Sequence, residues 1–124
     1  MKLWPALAIE LLAACAPRGA SERDWALCMN DEGDANARIG ACSAIAADAA
    51  QPRERRSDAY VQRGALYSAS SQDARAVADF GRALRLNPHN ARALHQRGIL
   101  HQSRGADAVA EADFEAARRL GPGR

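Results

Sequence analysis

Between residues 57 and 70 the apolar and small side chains fall at Tyr60, Val61, Gly64, Leu66 and Tyr67. They lack the strict alternation of a half-buried strand and predict an amphipathic helix. Further on, Ala76, Val77, Phe80, Ala83, Leu84 and Leu86 are spaced at threes and fours and predict a second. Between them "SSQD", residues 70–73, offers side chains of the type that cap a helix start. "NPHN", residues 87–90, closes the second helix, since Pro88 cannot continue it and biases its predecessor away from helical angles. Asn90 is then placed to cap the next helix. The pattern repeats from there, with Gly105 between two helices and "GPGR" at the end. Upstream, Ile39, Cys42, Ala46 and Ala49 recur at the same spacing and predict a helix over 35–49.

Gly64 interrupts a good helical pattern, and glycine costs about 1 kcal/mol relative to alanine in a helix interior. Its neighbours return with it, because Gln62-Arg63-Gly64 becomes Gln96-Arg97-Gly98 after 34 residues. The same shift carries Ala78-Asp79-Phe80 onto Ala112-Asp113-Phe114, Leu86 onto Leu120 and Pro88 onto Pro122. Self-similarity at a fixed period of this length predicts an all-α stack of antiparallel helix hairpins, a short α-solenoid.

Residues 57–122 resemble two consecutive tetratricopeptide repeats. Counted from Ser57, the family's characteristic positions hold Tyr60, Gly64, Tyr67, Ala76, Phe80, Ala83 and Pro88; counted from Ala91, they hold Leu94, Gly98, His101, Ala110, Phe114, Ala117 and Pro122. His101 departs from the usual aromatic. The units are 57–90 and 91–124. Residues 22–56 form a degenerate hairpin capping the array, with Asn30 where the glycine belongs and Gly33 where an aromatic belongs. The resemblance implies that Gly64 and Gly98 sit close to a partner helix, opposite Ala76 and Ala110, while Phe80 and Phe114 fill the space between hairpins. It also implies a concave groove lined by Asp58, Val61, Gln62, Ala65 and Ser68, then by Arg92, His95, Gln96, Ile99 and Gln102. Such a lining suits a protein or peptide partner: Val61, Ala65 and Ile99 would give apolar contact, Gln62, Arg92 and Gln96 hydrogen bonds. The Lys/Asn set with which some members grip a C-terminal carboxylate is missing. No helix covers the last one, so an apolar stripe of Val109, Phe114 and Leu120 is expected to be partly open and to favour association, including self-association.

Residues 1–21 read as a targeting segment. Lys2, the only lysine, precedes the apolar run "LWPALAIELLAAC", which is shorter than the roughly 20 apolar residues of a membrane-spanning helix. "LAAC" resembles a bacterial lipoprotein processing signal and implies lipidation at Cys15, membrane attachment through that lipid, and export to the periplasm. A first helix of the domain is the alternative. The chain has three cysteines. With Cys15 lipidated, Cys28 and Cys42 remain as a pair that could form a disulfide in an oxidising compartment. On one helix they would stand about 21 Å apart, so the chain must turn back between them, and "NDEGD", residues 30–34, supplies a turn. Two buried free thiols are the alternative.

The 124 residues carry a net charge of +2, which suggests neither a nucleic-acid nor an anionic-membrane partner. Arginines are scattered with few aromatics among them, a skew read as base composition rather than phosphate recognition. Arg53, Arg55 and Arg56, after Pro52, read as a solvated loop. None of the glycines follows a strand to make a phosphate-binding loop, and His95 and His101, six apart on a helix, cannot share a metal. Neither a catalytic set, a metal site nor a cofactor is expected. The sequence therefore points to a non-enzymatic interaction module; a self-associating structural module and a thiol-active protein are the rivals.

Overall fold

A computed structural model describes residues 19–121. Over that span the chain forms six α-helices: α1 Glu22–Met29, α2 Ala35–Ala47, α3 Arg53–Ala69, α4 Asp73–Leu86, α5 Ala91–Ser103 and α6 Asp107–Leu120. They pair as three antiparallel hairpins, each stacked on the next. Helices α1, α3 and α5 touch in succession, whereas α2, α4 and α6 do not touch one another. The first helices are thus drawn together and the second helices fanned apart, which makes the first-helix side the inner face of the curve.

Local chemistry sets most of the ends. Ser21 and Asp24 form a reciprocal capping box at the start of α1. Asp34 accepts from the Ala37 N–H at 2.9 Å, and Asn90 from the Ala93 N–H at 3.2 Å. Helix α2 stops two residues short of the expected Ala49. There the Asp48 carboxylate accepts from the backbone N–H groups of Ala50 and Ala20, both at 3.0 Å, and this local bonding competes with another helical turn. "SSQD" does not cap α4 through a side chain. Instead Ser71 adopts φ 62°, and the Gln72 N–H bonds the Tyr67 carbonyl at 2.8 Å. Gly105, one unit on, has φ 78°, with Ala106 bonded to His101 at 2.9 Å. The serine performs the helix-ending role its glycine counterpart fills more cheaply.

The arginine cluster is no loop. Pro52 opens α3, and Arg53, Arg55 and Arg56 form its first turn. Arg55 pairs with Glu22 at 2.6 Å and lies over the Trp25 ring, while Arg56 bonds the Ala46 carbonyl at the end of α2. These contacts fix the capping hairpin to the first full unit. Cys28 and Cys42 face each other across α1 and α2 with Cα atoms 4.8 Å apart, at disulfide-bonding distance. They are buried with Ala41, Ile45, Ala46 and Ala59. A second cluster joins Val61, Ala76, Phe80 and Ala83 to Ala93 and Leu100 of the following hairpin, so the core is shared between units.

The repeated glycine has a different neighbour from the one expected. A Cβ on Gly64 would lie 2.7 Å from the Phe80 ring, and one on Gly98 2.6 Å from Phe114. The nearest atoms at each glycine belong to the phenylalanine ring rather than to Ala76 or Ala110. Each phenylalanine packs onto the glycine of its own hairpin, and Phe80 also belongs to the cluster shared with α5.

Candidate protein-interaction face

The groove residues expected on α3 and α5 divide into three groups. Val61 is fully buried in the shared core and offers nothing to a ligand, which corrects its expected role. Asp58, Gln62 and Arg92 are engaged within the protein. Asn90 Nδ2 donates to Asp58 Oδ1 at 3.1 Å and to Ser57 Oγ at 2.9 Å, and Ser57 Oγ donates to the Ala83 carbonyl at 2.8 Å. Arg92 donates to Gln62 Oε1, whose amide nitrogen reaches toward the Cys28 carbonyl at 3.4 Å. Burial pushes the Asp58 carboxyl upward, against the lowering influence of the Asn90 hydrogen bond and the Arg92 charge. These polar groups tie hairpin to hairpin, a task invisible to a position-by-position reading.

The third group remains open. Ile99 is 44% exposed, and with Val109 on α6 it is one of two large apolar side chains exposed among the described residues. Gln96 and Gln102 flank it at three residues on either side, within one helix face. Ala65 and Ser68 occupy on α3 the places that Ile99 and Gln102 hold one unit later, and both are partly accessible. His95 is exposed and its ring lies 5.5 Å from that of Phe114. The accessible inner surface is thus an apolar centre with amide side chains around it, suited to main-chain and side-chain hydrogen bonds beside one hydrophobic anchor.

A repeated ion pair was not anticipated. Arg63 binds Asp79 through Nε and Nη2, both at 2.8 Å, and Arg97 binds Asp113 at 2.9 and 2.8 Å. Hydrogen bonding to the carboxylate raises both guanidinium pKa values further, above their already high ordinary value. The signal lay in the sequence, since Gln-Arg-Gly and Ala-Asp-Phe recur together with a charge of opposite sign at each centre. In the capping hairpin the same two places hold Met29 and Ile45, which fill the space without charge.

The far end of the stack presents a second surface. A depression of about 660 Å³ is lined by Ala91, Arg92, His95, Phe114, Ala117 and Arg118. Shifted back one unit, these are Ser57, Asp58, Val61, Phe80, Ala83 and Leu84, the surface on which α5 sits. Val109 is 50% exposed and Phe114 and Leu120 are partly accessible, as expected; Leu120 borders a smaller neighbouring depression, and Val109 lines neither. Among the described residues no three His, Cys, Asp or Glu side chains converge, and no helix is long and apolar enough to cross a membrane. Cys15 and almost all of the segment expected to act in targeting lie outside the described residues. No family model, curated protein or solved structure matches the chain.

Proposed function

We propose that this protein is a non-enzymatic protein-binding module of the tetratricopeptide type, exported to the bacterial envelope, that takes a protein or peptide segment on its inner face. The observation carrying this reading is the exposed Ile99, set between Gln96 and Gln102 on a helix whose other large apolar residues, Leu94 and Leu100, are buried. Burying the 44% of this residue that is exposed would contribute on the order of 1 kcal/mol to a complex, a modest apolar anchor for the hydrogen bonds beside it. The 34-residue recurrence of the glycine–phenylalanine contact and of the Arg–Asp pair supports the family assignment. The leader sequence, its Cys15 and the facing Cys28 and Cys42 support export.

Ile99→Glu tests it cleanly, because Ile99 lies outside the core whereas Arg92 is bonded to Gln62. The variant is expected to keep its melting temperature and to lose co-purification of a partner crosslinked in cells. Retention of the same partner at the same yield sinks the groove reading.

The open seat at the end of the stack favours a second reading, self-association through that end. Phe114 and Ala117 remain partly accessible there, where Phe80 and Ala83 are covered. Sedimentation of the mature chain decides it: a monomer at high micromolar concentration removes it, and a dimer broken by Ala117→Glu supports it.

A further inference from the structure

Scattered along the sequence, Arg63, Arg75 and Arg82 come together between α3 and α4. The Tyr67 ring has the Arg63 guanidinium 5.7 Å from its centroid and that of Arg75 at 5.6 Å, both within cation–π range. Asp79, fully buried, accepts from Arg63 and also from Arg82 Nη1 at 2.8 Å. The three guanidiniums and Tyr67 line an open depression of about 360 Å³, in which Asp79 is the one carboxylate. Two positive charges are left over.

The second unit shows that this surplus is not needed to build a hairpin. Arg97 and Asp113 reproduce the buried pair, but His101, Val109 and Ala116 stand where Tyr67, Arg75 and Arg82 stand in the first. Arg75 makes no hydrogen bond to any described residue, and Arg82 spends only one of its nitrogens, on Asp79. Arg82 also borders a neighbouring depression with Arg56 and Arg85, which no carboxylate lines. Arg75 and Arg82 are two helical turns apart on one face of α4, about 10.5 Å along the axis, and both line the depression.

We propose that this depression is an anion site for a phosphoryl group, either a free phosphate or phosphate ester or a phospholipid headgroup. Arg63 is fully engaged, with Nε and Nη2 on Asp79 and Nη1 on Ser43 Oγ, so the unspent donors are those of Arg75 and Arg82. Two guanidiniums with free donors can each bond oxygens of a tetrahedral oxyanion, and an excess of two charges matches a dianion. Tyr67 gives the site an aromatic wall. It is independent of the inner face, and neither Ile99 nor its flanking glutamines takes part.

Titration of the full chain with inorganic phosphate, followed by the NMR signals of the arginine Nε–H groups, tests the assignment. Saturable shifts of Arg75 and Arg82 are expected, absent with sodium chloride or acetate at equal ionic strength. Arg75→Gln with Arg82→Gln is expected to weaken phosphate binding at least about tenfold. Its melting temperature should match the parent's, as Val109 and Ala116 predict. Shifts that do not saturate, that chloride or acetate reproduces, or that persist unchanged in the double variant overturn the site. Vesicles of phosphatidylcholine with and without phosphatidylglycerol identify the source. Binding to the anionic vesicles that phosphate competes away and the double variant lacks assigns a headgroup. Saturable phosphate binding with vesicle binding equal in both proteins assigns a soluble phosphate compound.

Discussion

At Gly64 two opposing magnitudes can be weighed. Alanine there would gain about 1 kcal/mol of helix propensity. Its methyl would also press on the Phe80 ring, which is 1% exposed and has nowhere to move, and overpacking of that kind costs about 1–3 kcal/mol. The balance is a net destabilisation of up to about 2 kcal/mol for Gly64→Ala, read in denaturant unfolding. Gly98→Ala meets a similar contact distance but a partly accessible ring at the open end of the stack, so propensity should offset strain and leave stability nearly unchanged. Equal losses at both sites would show that the ring's freedom does not matter. Asp58 offers a test with a sign. Burial raises its folded pKa above the unfolded value. Its contribution to stability is therefore full below the unfolded value and lost as pH rises through the folded one. Asp58→Asn keeps an oxygen for Asn90 and should raise the melting temperature at pH 7, the gain shrinking as pH falls through the raised folded value and vanishing below the ordinary carboxylate value. A gain that grows on acidification contradicts this.

The helical hairpin is the element that the Arg–Asp pair locks. Removing one partner from a buried pair costs about 3–5 kcal/mol, because the other charge is stranded. Asp79→Ala should behave so, leaving Arg63 mostly buried without its carboxylate. The capping hairpin solves the same problem with Met29 and Ile45, so Arg63→Met with Asp79→Ile should lose less stability than Asp79→Ala alone. If the double change is the worse of the two, the pair does more than fill and link. Legibility at this scale follows from how local the cause is. Asn90, Pro88 and the spacing of Phe80, Ala83 and Leu84 act within a turn or two of themselves, and those helix boundaries could be read directly. The start of α3 could not, since Arg55 and Arg56 are drawn into the helix by Glu22, Trp25 and the Ala46 carbonyl, which belong to another hairpin. Val61 was misplaced for a similar reason: its exposure depends on where α5 packs, which its own periodicity does not encode.

For the whole molecule, each hairpin leaves a face that the next one covers, and the two ends are treated differently. Among the described residues, the first hairpin is held through Cys28, Cys42 and the Arg55–Glu22 pair, and the last hairpin carries the depression lined by Phe114 and Ala117. Closely drawn first helices make an inner surface on which Ile99 is the large apolar side chain left uncovered. The inner face is also where a partner could touch several units at once, which is how a small stack gains affinity without a deep pocket. The most direct test places a photo-crosslinking residue at Ile99 or at Val109, which are 44% and 50% exposed but lie on the inner face and on α6 respectively. Irradiated in cells, the protein should give a discrete hetero-adduct from position 99 and none from position 109. An adduct from position 109 alone, or from 99 only to a second copy of the chain, contradicts partner binding on the inner face.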